Sequence, residues 1–396
     1  MVQITQKWNG RGNLKQMVVE LERQRLSKID FVSDMRQLQV IGFDGEFDGD
    51  EDRCLKLGAV PGTATTEWLT KLHRIGHHAL PQFGARVDPA IPGQWLRKMA
   101  DQHTGHTSTI LTRLMHDTGK RNLVRCLDGE VRAFLSNSYK VLDSLDIAFA
   151  SLEAAKREGA VPLEANLSDT RMRLKLVNFD MMEALEQEAV ENSPHQFIGA
   201  DALIRRLGIN PADLPGEPNS IFPVITVSNS ETGHGGFSVK LGIMLRACIN
   251  TCTIEDVAGE IHLGGKLDVG LFSRETQTLE ARTIMAKACE SVQAAFTPDK
   301  WAAMVEKARD AQGTVIRDPS SAVEHFVKTQ DVFPESKKDQ LLMHFVGDYD
   351  RTAWGFAQAV ARVAQDEESA DTAATLEALA GEVIKEPKLI AVPIAA

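Results

Sequence analysis

Ile225-Thr226-Val227-Ser228-Asn229-Ser230-Glu231-Thr232-Gly233-His234-Gly235-Gly236-Phe237-Ser238-Val239 holds two alternating apolar runs with a polar, glycine-rich connection between them. Apolar residues at a period of two, bounded by turn formers, predict a pair of half-buried strands. Asn229, Ser230, Thr232 and Gly233 are good turn residues whose side chains can satisfy their own backbone. Glu231 and His234 are less well explained by turn chemistry. They could act as a general base and its orienter, yet no nucleophile or second carboxylate stands at an interpretable spacing. Strand rather than helix follows Gly236, which argues against a phosphate cradle on a helix N-terminus.

Working outward, Lys240–Ile249 and Glu260–Leu263 continue the strand pattern. Arg171–Val177 alternates as a half-buried strand with a basic outer face. Leu123–Leu127 and Glu130–Leu135 flank Asp128-Gly129, a strong two-residue hairpin signal because both turn positions need positive φ. Residues 38–43 read as a short strand, and 13–29, 64–80, 93–102, 107–117 and 142–157 as helices. Residues 209–223 carry Pro211, Pro215, Pro218 and Pro223 and read as a loop or boundary.

From about 275 the pattern is helical: 275–296, 298–311, 319–328, 336–346, 350–366 and 371–382, with Pro298, Pro319 and Pro334 at helix starts. The expected fold class is therefore α+β. A mixed N-terminal and central body with antiparallel hairpins is followed by an acidic helical C-terminal region. The implied division is 1–60 for the first helix, strand and acidic loop, 61–270 for the core, and 271–396 for the helices.

The net charge of −11 opposes a sequence-independent grip on nucleic acid, but its distribution is uneven. Residues 61–150 net +3, whereas 251–396 net −9. No apolar run is long enough for a membrane span, and the N-terminus lacks the apolar core of a signal peptide. Five scattered cysteines suit a reducing cytoplasm better than a disulfide framework.

The loop after residue 43 begins like a calcium loop, with Asp44, Glu46, Asp48 and Gly49, but its twelfth position is Leu55, so a solvated acidic turn is expected. His73 and His77 stand at helical i,i+4 without the Glu of a metalloprotease helix. Cys248, Cys252 and His262 have unusual ligand spacing. No metal or cofactor is expected. The better-supported feature is a basic stripe of Arg113, Lys120, Arg121, Arg125, Arg132 and Lys140, with Tyr139 available for stacking. Arg171, Arg173 and Lys175 form a second same-face row. Cationic rows on strands beside an aromatic suit a phosphate backbone and a stacked base. A solvated face paired with carboxylates is the simpler alternative.

Leu14–Gln24 with Asp30-Phe31-Val32, Val131–Asp143, the Asn229-Ser230-Glu231-Thr232-Gly233 box and Leu245-Arg246-Ala247-Cys248-Ile249-Asn250 resemble a phage- and plasmid-borne family, domain of unknown function 932 (DUF932). The resemblance spans roughly 13–310; relatives would carry Gly where this chain has Thr251. It implies mobile-element DNA metabolism in a bacterial host cytoplasm, without an established activity. Within that context the expectation is a single-stranded-DNA-binding or strand-annealing accessory protein, a homo-oligomer. Its acidic C-terminal helices would shield the groove or recruit a protein partner. Arg246 is the expected partner of Glu231. The alternatives are a phage structural or assembly protein and a metal-dependent enzyme acting on nucleic acid.

Overall fold

The structure is a computed structural model and describes residues 8–44, 54–59, 67–71, 102–117, 119–136, 142–185, 206–261 and 274–390. The N-terminal part runs β1 (Gly10–Gly12), α1 (Leu14–Ser27), β2 (Lys28–Asp34), β3 (Leu38–Asp44), β4 (Cys54–Ala59), β5 (Glu67–Lys71), α2 (Thr104–Asp117), β6 (Arg121–Leu127) and β7 (Glu130–Ser136). Next come α3 (Ser144–Arg157), β8 (Val161–Leu167), β9 (Met172–Val177), β10 (Glu183–Ala184), β11 (Ser220–Asn229), β12 (Phe237–Leu245) and β13 (Asn250–Ile261). The helical part is α4 (Arg274–Ala295), α5 (Pro298–Gly313), α6 (Pro319–Thr329), α7 (Lys338–Asp348), α8 (Ala353–Gln365) and α9 (Ala370–Lys385). The fold class is α+β.

The strands form two sheets. The larger has the order β1-β8-β9-β11-β12-β13, with β10 against the start of β11, and is antiparallel throughout. The smaller has the order β2-β6-β7-β5-β4-β3, in which only β5 and β7 run parallel. The Asp128-Gly129 hairpin forms as expected, with φ of 56° and 82° at its two turn residues. Asp128 is also held by Arg23 of α1 at 2.8 Å.

Alternation along the strands divides the large sheet into two unlike faces. Leu174, Ile225, Val227, Leu241 and Ile243 lie on the apolar face, in one core with Met17 of α1, Ile147 of α3 and Val292 of α4. That core continues into the C-terminal helices through Trp301, Phe326 and Phe356, the two Phe rings meeting edge to face at 5.1 Å. Each such buried side chain contributes roughly 1.5–3 kcal/mol. The acidic helices thus share the core of the sheet. Likewise, the limit at 60/61 runs between β4 and β5, which pair with each other. The opposite face is apolar at one end, where Val177, Phe222, Val224 and Met244 pack under Leu207. At its other end it is polar.

Several expectations are corrected. Residues 67–71 form strand, not helix: the Trp68–Ile75 apolar periodicity is overridden by pairing between β4 and β7. The remainder of 64–80, and nearly all of 93–102, lie outside the described residues. The proline-rich 209–223 segment ends in strand from Ser220, with Pro223 inside β11. Pro223 is tolerated because it falls where β11 changes neighbour, from β10 at Ser220–Ile221 to β9 at Val224, so no ladder N–H is required of it. β9 is buried on both faces rather than half-buried, because α9 covers its basic side.

Candidate functional site

The connection after β11 is a buried junction between the two sheets. Asn229, Ser230, Glu231 and Thr232 are each at most 5% exposed. Ser230 Oγ donates to the Thr170 carbonyl at 2.7 Å and accepts from the His234 N–H, while Gly233 supplies a φ of 83°. Asn229 Nδ2 donates to the Leu142 carbonyl and to Ser144 Oγ, tying the loop to the start of α3.

Glu231 completes that start. Its Oε1 accepts the Ser144 N–H at 2.7 Å, an orphan donor at the N-terminus of α3 that Asp143, at the cap position, leaves unmet by its side chain. The same oxygen takes Lys28 Nζ at 2.8 Å, and Oε2 takes Arg132 Nη2 at 2.9 Å. Arg125, fully buried, donates to the Glu231 carbonyl at 2.8 Å and grips both oxygens of Asp30 through Nε at 3.1 Å. Asp143 closes the set at 3.0 Å from Lys28. Lys28, Arg125 and Arg132 are thereby matched by Asp30, Asp143 and Glu231. Burial alone would push the Glu231 carboxyl up. Lys28, then Arg132 and Arg125, outweigh it and hold it at about 2 against an ordinary 4.5.

Arg125 and Arg132, expected on a phosphate groove, therefore face inward. A bulge between Arg125 and Cys126 breaks the register of β6 with β7 and brings both guanidinium groups to one carboxylate. Arg246 does not partner Glu231. It donates to the Leu214 and Ala212 carbonyls and anchors the loop before β11. His234 sets Nδ1 3.0 Å from Thr232 Oγ1 while the Glu231 carboxylate turns into the cation cluster, so the two do not form a base and orienter.

The second basic row is also met by carboxylates. Arg173 Nη1 lies 2.6 Å from Asp371 Oδ1, and Lys175 Nζ lies 2.8 Å from Glu164 and 2.5 Å from Glu377. Arg11 joins Glu164 at 3.0 Å and donates to the carbonyls of Ala364 and Glu367 at the end of α8, where cations are favoured. Glu164 is held well below the ordinary carboxylate range, since Lys175 and Arg11 outweigh its burial.

Beside Arg173 the polar half-face opens into a cleft of about 690 Å³ between the 230–236 loop and α9. Thr226, Ser228, Ser238 and Lys240 lie on its floor, and Arg171 and His234 at its side. Sequence reasoning missed these floor residues, along with Lys28, Asp30 and Asp143. The floor was legible in principle: Thr226-x-Ser228 and Ser238-x-Lys240 alternate on adjacent strands, in register as Thr226↔Lys240 and Ser228↔Ser238.

Arg113, Lys120 and Arg121 stand exposed where α2 turns into β6. Tyr139, Lys140, His73, His77, His262 and most of the acidic loop lie outside the described residues. Cys126, Cys248, Cys252 and Cys289 are unpaired, and burial pushes the Cys126 and Cys248 thiols up to about 11. Among the described residues no group of three His, Cys, Asp or Glu side chains is placed to hold a metal ion, and no helix is long and apolar enough to cross a membrane. Compared with family models, curated proteins and solved structures, the chain matches none of them.

Proposed function

We propose that this chain is a single-stranded-DNA-binding accessory protein of a phage or mobile element, a homo-oligomer in the cytoplasm of a bacterial host. The observation supporting this reading is the corner between α2 and β6. Arg113, Lys120 and Arg121 are exposed there, and among the described residues none of them forms a salt bridge. Exposed cations outside salt bridges are the ones that release counterions from a strand. Of the three only Arg121 faces a carboxylate among the described residues, Asp34 opposite it on β2, whereas Arg125, Arg132, Arg173 and Lys175 already hold carboxylates. The DUF932 resemblance supplies the mobile-element context. Exposed Glu306 and Asp310 on α5 and Glu335 in the turn before α7 offer an acidic surface to a protein partner.

Mobility-shift titration of an unphosphorylated oligodeoxynucleotide over a salt series tests the proposal. Binding should weaken steeply with salt, and the triple variant Arg113→Ala, Lys120→Ala, Arg121→Ala should flatten the logarithmic slope by about 2, at roughly 0.7 per lost contact. Absent or salt-insensitive binding would sink it.

A further inference from the structure

The geometry points to a second site, separate from the α2–β6 corner: the cleft between the 230–236 loop and α9 binds a phosphate monoester. Four features converge there. Its volume of about 690 Å³ lies within the roughly 300–1,000 Å³ of small-molecule sites. Its floor is a sheet surface of hydroxyls, in which Ser228 and Ser238 pair across β11 and β12, with Lys240 two residues further along β12. Arg171 and Arg173 enter from the β9 side. Ser228, only 6% exposed, has a buried Oγ with no hydrogen-bond partner among the described residues. Leaving such a hydroxyl unmet costs about 1–3 kcal/mol, so a ligand oxygen at that point recovers a loss already built into the fold.

The chemistry of the lining selects the ligand. Lysine and arginine with several hydroxyl donors suit a group with three charged oxygens, which a monoester presents and a backbone diester does not. Among the described residues no Phe, Tyr or Trp lines the cleft, and its imidazole, His234, sets Nδ1 3.0 Å from Thr232 Oγ1; the phosphate end is what is held. Two carboxylates, Asp371 and Glu377, also border it, both from α9. Glu377 is committed to Lys175, but Asp371 is 44% exposed and rests on Arg173 at 2.6 Å, in the place an oxyanion would take. Asp371 is therefore a competitor at the site's edge. Among the described residues Lys240 has only the exposed Asp256 at 3.3 Å, a pair too solvated to hold it from a ligand.

The test is phosphorus NMR of inorganic phosphate and of ribose 5-phosphate titrated with the full chain. Lys240→Gln and Ser228→Ala should each weaken binding roughly 3–10-fold. Asp371→Asn should tighten it, an outcome that general damage to the fold does not produce. Unchanged affinity in all three variants, or no binding at millimolar phosphate, overturns the site. A 5′-phosphorylated oligonucleotide that outcompetes ribose 5-phosphate identifies a strand end as the source; equal competition identifies a free sugar phosphate. The Arg113, Lys120, Arg121 triple variant should leave phosphate binding intact, so this site and the proposed strand surface fail independently.

Discussion

The Glu231 junction and the Arg173–Lys240 cleft are built from the same residue types, yet they behave oppositely. At the junction every cation meets a carboxylate and the loop backbone closes over the set. At the cleft, α9 supplies carboxylates from one side only, and the hydroxyl floor stays open. Strand-borne arginines are thus not binding residues by type. Whether a carboxylate arrives from a distant element decides between glue and surface.

That contrast predicts its largest effect at Glu231. Removing one member of a buried, matched ion cluster strands the others, so Glu231→Ala should cost roughly 3–5 kcal/mol in urea unfolding. Lys240→Ala at the cleft, whose pair with Asp256 is solvated, should cost no more than about 1 kcal/mol. Equal losses would erase the distinction.

The acid limb sharpens it. Because the Glu231 carboxyl sits at about 2 in the folded protein against 4.5 ordinarily, its stabilisation is fully present above about pH 4.5. It is lost as pH falls through 2, and amounts to about 3 kcal/mol. The stability gap between wild type and Glu231→Gln should therefore narrow by about that amount over this window, followed by circular dichroism in urea; a constant gap would contradict the buried pairing.

Next in size is the wall of the cleft. A Cβ at Gly381 of α9 would collide with the Thr253 carbonyl of β13, so Gly381→Ala should destabilise by roughly 1–3 kcal/mol. It should also disturb the cleft, read as altered phosphate binding. A comparably small effect belongs to Asp371→Asn: its carboxylate is 44% exposed and screened although Arg173 is buried, and the loss should be about 1 kcal/mol by thermal unfolding.

Much of the fold was legible where local chemistry is decisive. Asp128-Gly129 specified its hairpin, and Pro298 and Pro319 marked helix starts because proline suits the first helical position. β4, β8 and most of β13 were not read, since polar or short runs become strands only when neighbours pair with them. The site was legible as a loop but not as a junction. Lys28 lies 203 residues from Glu231, and no spacing rule connects two such positions. The left-handed turn before β13 falls on Ile249, with φ of 54°, while Thr251, where the family resemblance led to glycine, lies in the strand.

Arg11 reaches the Ala364 carbonyl across 353 residues, and this has a consequence during synthesis. At roughly 5–20 residues per second, a ribosome needs about 20–70 s between making the two. Through that interval Arg11, on the edge strand β1, waits without the α8 carbonyls that it finally holds. The nascent chain then carries an incompletely closed sheet edge, which is when holding by a chaperone would matter most.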